Sequence, residues 1–282
     1  MKIQKQENAI LAEYRKIAFE RQDNYVVNDG LPFCGKIIKD RCNWIRTRMR
    51  SNNNEGDIYE RMPLKILLIT KECPVSSETK DLRIESFRDN NTQDGSIHTI
   101  NMRFHHNILS TIWGLTHYDL IQKKCPDWED KEKPWSWDIA REFFETMPIP
   151  RINVKKIAGN NTTSQTILDS YMYDIEYRPL IIKQILLYNA DIIVCYGRQI
   201  FEFVINPANG IFNDVVEDKK LDPWVYYSGS KQKLIFNSIH PSYWGVSEKD
   251  FYNGMMTDYS KFLNTHEDLA RKWFPTSQSF DL

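Results

Sequence analysis

Hydrophobic residues recur along this chain with two different periods, and the changes from one to the other mark its elements. Over residues 4–22, Ile10, Leu11, Tyr14, Ile17 and Ala18 fall at helical spacing among charges, which predicts an amphipathic helix. LKILLIT (64–70), ADIIVCYG (190–197) and KLIFNSI (233–239) are instead continuous apolar runs, as in strands buried on both faces of a parallel sheet. The helical period returns between them in HHNILSTIWGL (105–115), SWDIAREFFETM (136–147) and YRPLIIKQILLY (177–188). Strand and helix therefore alternate. The expectation is an α/β fold, a three-layer α/β/α sandwich around a central, mainly parallel sheet. Around residues 40–62 the chain is basic and Asn-rich before an abrupt change of character at Leu64. This divides it into a helical, basic extension over 1–60, packed on the core, and a main domain over 61–282. Residues 116–135 and 206–232 read as long polar connections.

Composition narrows the classes without choosing one. A chain of 282 residues with 41% hydrophobic residues can bury a large core. Its 37 Lys plus Arg balance 38 Asp plus Glu, so any surface for a polyanion has to be a local patch. Five cysteines, an odd number with no CxxC pair, argue against a disulfide framework and against a compact zinc site. The charged N-terminus has no apolar core of a secretion signal, and no stretch approaches the roughly 18 apolar residues of a membrane span. These features together predict a cytoplasmic protein with reduced thiols.

In wound α/β sheets, ligands bind at the carboxyl ends of strands, so the residues that follow each apolar run carry the candidate chemistry. Lys71-Glu72-Cys73-Pro74 follows the first run, Asn153 follows the short run Pro150-Arg151-Ile152, and His240-Pro241-Ser242 follows the last. Singly, each is an ordinary loop residue. A carboxylate, an amide and an imidazole delivered by three strand ends can converge on one small polar ligand.

In order and context these segments resemble the uracil-DNA glycosylase superfamily, over roughly residues 60–265. ILLITKECP (66–74) is similar to the first motif in its GEAPG form, with Glu72 and Pro74 in register. RINVKK (151–156) is similar to the middle motif and puts Asn153 at the base-reading position. ILLYNADIIVCYG (185–197) matches the strand that ends in glycine, here Gly197, and LIFNSIHPSYW (234–244) matches the closing HPS motif, with His240 at the catalytic position. The chain departs from the pattern at Lys71 and Val75, where the first motif has glycines, which leaves base specificity open. It also lacks the cysteine spacing of the iron-sulfur subfamilies, so no cluster, metal or other cofactor is expected. TQDGSIH (92–98) superficially matches another version of the first motif, but no apolar strand precedes it, which discounts Asp94 and His98.

The resemblance implies a DNA glycosylase, whose partner is DNA with a flipped base and whose product is an abasic site. Glu72 would stabilise positive charge on the sugar and orient the water, and His240 would donate a hydrogen bond to the departing base. Asn153 would read the base edge, either the N3/O4 edge of uracil or, turned over, the N3/N4 edge of cytosine. Phe87 is the first candidate to stack on the base, with Phe104 second, and Cys73 and Pro74 would line the pocket beside C5. Ser242, Lys71 and Lys155, with Lys156, would contact phosphates. Because Cys73-Pro74-Val75 offers no bulky side chain to fill the space beside C5, a C5-enlarged cytosine of phage DNA is a candidate substrate beside uracil. Two rival readings stay open: a binding protein of the same fold without the chemistry, and an unrelated wound α/β enzyme, although GxxxxGK[ST] and GxGxxG are both missing.

Overall fold

The computed structural model describes residues 2–33, 37–40, 43–46, 55–74, 81–83, 85–88, 103–131, 145–159, 164–206, 208, 210–214, 216–217 and 224–275. The strands are β1 (Ile37–Asp40), β2 (Asn43–Arg46), β3 (Ile66–Pro74), β4 (Glu85–Arg88), β5 (Arg151–Gly159), β6 (Ile192–Tyr196), β7 (Val216–Glu217), β8 (Val225–Ser228) and β9 (Lys233–Ser238). The α-helices are α1 (Lys2–Arg21), α2 (Glu55–Arg61), α3 (Arg103–Thr116), α4 (Gln165–Met172), α5 (Tyr177–Leu187), α6 (Arg198–Ile205), α7 (Glu248–Thr265) and α8 (Glu267–Trp273). The helix expected over 136–147 lies mostly outside the described residues.

A six-stranded sheet in the order β5-β3-β6-β9-β8-β7 forms the centre, parallel from β5 to β9 and antiparallel at β8 and β7. The apolar runs serve both of its faces because side chains alternate along a strand. Ile66, Leu68, Ile192, Val194, Leu234 and Phe236 pack into one cluster with α3, α7 and α8. Leu67, Ile69, Ile193, Cys195, Ile235, Ile152 and Val154 pack into the other with α1, α4, α5 and α6. Each fully buried aliphatic side chain contributes about 1.5–3 kcal/mol, so the two clusters hold the helical layers to the sheet.

Three features differ from the sequence expectation. First, β3 does not stop at Thr70 but runs on to Pro74, with Glu72 paired to Lys155 and an irregularity before Pro74. Second, Asn153 is the third residue of a nine-residue strand, paired with Thr70, and not a strand-end residue. Lys155 and Lys156 conceal the rest of β5 because both are buried there, against the usual habit of lysine. Third, the 206–232 connection carries β7 and β8, and β1, β2 and β4 form a separate three-stranded sheet.

Strand β5 would be an open edge of the main sheet. It is covered by residues 25–30, which run antiparallel to it: Val26 bridges Ile157, Gly30 bridges Arg151, and Val27 N–H donates to the Lys156 carbonyl at 2.9 Å. Gly30 has φ +126, and a Cβ there would sit 2.1 Å from Glu7 Oε2 and 2.6 Å from the Tyr188 hydroxyl. Glu7 is the hub beneath it, accepting from Leu31 N–H (2.8 Å), Tyr188 Oη (2.5 Å) and Arg83 (2.9 Å). Gly30→Ala is therefore expected to destabilise the fold by on the order of 2 kcal/mol or more, seen as a lower urea midpoint at unchanged slope. A midpoint equal to wild type would contradict this packing.

Candidate active site

The connection after β3 carries α3 on one face of the sheet, whereas β6 leads directly into α6 on the other face. The crevice beyond the carboxyl ends of β3 and β6 is thus the topological switch point, where wound α/β folds bind ligands. Ile69, Cys195 and Asn237 form one row across β3, β6 and β9. Glu72 follows Ile69 by three residues and His240 follows Asn237 by three, so the two candidate catalytic positions overhang the same row from strands two spacings apart, about 10 Å. Gly197 lies between them. Its φ of +133 belongs to glycine, and a Cβ there would stand 3.1 Å from Lys71 Cε. The stem of Lys71 therefore crosses the β6–α6 turn.

Helix α3 holds the loop of His240. Asn107 Nδ2 donates to the Pro241 carbonyl at 2.6 Å, Arg103 donates to the Val246 carbonyl, and the Phe104 ring centroid is 5.8 Å from that of His240. Ser242 N–H donates to His240 Nδ1 at 3.2 Å. That bond places the proton of the neutral ring on Nε2, leaving Nε2–H as the donor. Burial first, and the charge of Lys71 second, hold the imidazole below the ordinary histidine range. Nearby, burial and the charges of Arg151 and His106 push His105 down to about 3. The guanidinium of Arg151 lies 5.5 Å over the Phe104 ring.

Asn153 is gripped on both sides of its backbone. Its N–H donates to Asp29 Oδ2 at 2.7 Å, and its carbonyl accepts from Lys156 Nζ at 2.9 Å. Asp29 and Lys156 are themselves a buried ion pair at 2.7 Å, to which Gln184 Nε2 adds a bond at 3.2 Å. The Asn153 side chain receives the Thr70 hydroxyl at Oδ1, 2.6 Å away, while its buried Nδ2 finds no acceptor among the described residues.

The remaining positions divide. Lys71 is half-buried at the crevice, and Ser242 is half-buried beside His240. Lys155 is buried, donating to the Ile157 carbonyl at 2.8 Å and lying 5.5 Å from the Tyr171 ring, so neither it nor Lys156 presents an ammonium to a phosphate. Phe87 is in β4 of the small sheet, paired in register with Trp44, and the Phe104 ring lies against His240. The side chains of Glu72, Cys73, Pro74 and Phe87 lie outside the described set, as do Val75, Asp94 and His98. Thr70, Asp29, Asn107 and Arg151 escape sequence reasoning, since each acts through a partner far along the chain. Beside the HPS turn, Tyr243 and Trp244 are 53% and 81% exposed, with the Arg103 guanidinium 5.1 Å from the Trp244 ring.

Among the described residues no group of three or more His, Cys, Asp or Glu converges on a metal-sized space, and no helix is long and apolar enough to cross a membrane. No family model, curated protein or solved structure matches the chain.

His240 should titrate below the ordinary value of 6.5 when followed by NMR. Lys71→Met should move it upward by removing a nearby positive charge. The folded state binds this proton less tightly than the unfolded chain, so the residue lowers stability as pH falls below about 6.5 and has no effect well above it. A titration at or above 6.5 in the wild type would contradict the arrangement.

Proposed function

We propose that the protein is a DNA glycosylase of the uracil-DNA glycosylase type, hydrolysing the N-glycosidic bond of a flipped pyrimidine to leave an abasic site. The observation that carries this reading is the row arrangement: Glu72 and His240 stand three residues beyond one row of the sheet, on either side of the switch-point crevice, with Asn153 two strands away from His240's neighbour β6. The four segments that resemble the family's motifs are the four strands of the parallel block and the residues that follow them.

Cleavage builds positive charge on the deoxyribose and negative charge on the leaving base. A carboxylate at Glu72 stabilises the first and orients the attacking water. The neutral His240 donates Nε2–H to the base oxygen as charge gathers there; it needs no proton from solution, because its Nδ1 is held by Ser242 N–H. The Asn153 amide meets the base edge, and Phe104 supplies an aromatic face beside the imidazole. Exposed Tyr243 and Trp244 give the rim a stacking surface for bases, and Arg103 and Lys71 supply positive charge near it. The substrates in this reading are uracil and a cytosine enlarged at C5. The enlarged cytosine would give the protein a place in defence against phage, and uracil a place in repair.

Oligonucleotides carrying one modified base, treated with alkali after incubation, test the reaction, since only a glycosylase leaves alkali-labile abasic sites. A protein that binds without chemistry would retain the DNA and yield no cleavage. Glu72→Gln and His240→Ala are each expected to slow single-turnover excision by about a hundredfold or more with the fold intact. Wild-type rates in both variants would place the chemistry elsewhere. Trp244→Ala should weaken DNA binding by about 1–3 kcal/mol at a fixed salt concentration; unchanged affinity would remove the aromatic rim from the reading.

A further inference from the structure

A buried amide nitrogen without an acceptor costs about 1–3 kcal/mol, and Asn153 Nδ2 has none among the described residues, which suits a nitrogen that meets its partner on a bound ligand. What the amide presents to that partner depends on Thr70. Thr70 Oγ1 is 2.6 Å from Asn153 Oδ1 and also 3.2 Å from the Ile152 carbonyl oxygen. A hydroxyl has one proton and can accept as well as donate. With its proton toward Asn153, it supports the amide with Oδ1 inward and Nδ2 presented. With its proton turned to the Ile152 carbonyl, it becomes an acceptor and supports the opposite orientation, with Nδ2 inward and Oδ1 presented. Meanwhile the backbone of Asn153 stays fixed by Asp29 and Lys156, so the amide can turn over without moving the strand.

We infer that Thr70 sets specificity as a hydroxyl relay behind Asn153, its O–H turning between donor and acceptor roles without any proton transfer, and so lets the amide read both 4-keto and 4-amino pyrimidines in one site. Uracil offers an N3–H donor beside an O4 acceptor, and cytosine offers an N3 acceptor beside an N4 donor. Turning the amide over interchanges its donor and acceptor and so matches either edge. A neighbour that could only donate would lock one orientation and exclude one class of base. The inference rests on the glycosylase reading for the identity of the ligand, and it adds that the base-reading position is deliberately ambivalent.

The test separates binding from chemistry. Duplexes carrying a 2′-fluoroarabino nucleotide of uracil or of cytosine resist cleavage, because the fluorine disfavours positive charge on the sugar, and their dissociation constants report recognition alone. The wild type should bind the two within tenfold of each other. Thr70→Val should weaken both by about tenfold, the worth of one net hydrogen bond, and Thr70→Ser should restore both. A purely packing role for Thr70 would leave the near-isosteric Thr70→Val unchanged and would not be rescued by serine, which keeps the hydroxyl and loses the methyl; the reading of both edges is carried by the wild-type ratio. A wild-type preference above tenfold, no effect of Thr70→Val, or no binding of either duplex overturns the relay. If neither natural base is released from ordinary DNA while both analogues bind as expected, the glycosylase reading fails and the relay stands.

Discussion

The edge of β5 is the constraint on which the rest of the site depends. A strand that ends a sheet exposes a row of N–H and carbonyl groups, and here that row includes the residue proposed to read the base. Residues 25–30 satisfy most of it as an added antiparallel segment, and at Asn153 side chains take over, with Asp29 accepting from the N–H and Lys156 donating to the carbonyl. Removing two charges from water costs several kcal/mol per ion, which their attraction offsets only when the remaining bonds are well made. In this pair they are: both Asp29 oxygens accept from Lys156 Nζ, at 2.7 and 2.9 Å, and Gln184 reaches the same carboxylate. Burial lowers the Lys156 ammonium from its usual range while the charge of Asp29 opposes the shift. A rigid backbone is what lets a single side-chain amide be positioned accurately.

The crevice is also where the protein leaves hydrogen-bonding capacity unused. Asn107 Oδ1 on α3 and Asn153 Nδ2 on β5 are both buried without a partner among the described residues, while the Asn153 backbone N–H and carbonyl are both bonded. Stability is set aside at those atoms, which suits groups that meet a polar ligand only when it is bound. Lys71 contributes in a different way, since its charge adds to burial in disfavouring the protonated imidazole, which favours the Nδ1 acceptor that Ser242 N–H requires.

How much could be read from the chain follows from the range of each interaction. The runs at 66–70, 192–196 and 234–236 were legible because a strand buried on both faces has to be apolar at every position, and Gly197 and His240 were legible as the residues just beyond such runs. Strand β5 was half hidden by Lys155 and Lys156, whose burial depends on Asp29 and on the Ile157 carbonyl. The small sheet is illegible in the sequence because β4 pairs with β2 across about forty residues, and no local signal reveals that the register partner of Phe87 is Trp44. Thr70 read as the last residue of an apolar strand; nothing local reveals that its hydroxyl meets an amide 83 positions later.

The covering of β5 also has a consequence for how the chain is made. The pair between Asp29 and Lys156 spans 127 residues. A ribosome adding about 5–20 residues per second needs on the order of ten seconds to bridge that interval. Throughout it, α1 is complete but has neither β5 nor α5 to cover its apolar side, and Glu7 waits for Tyr188. Helix α1 is therefore synthesised well before the elements it docks on, so the nascent polypeptide carries an unshielded amphipathic helix for that whole interval.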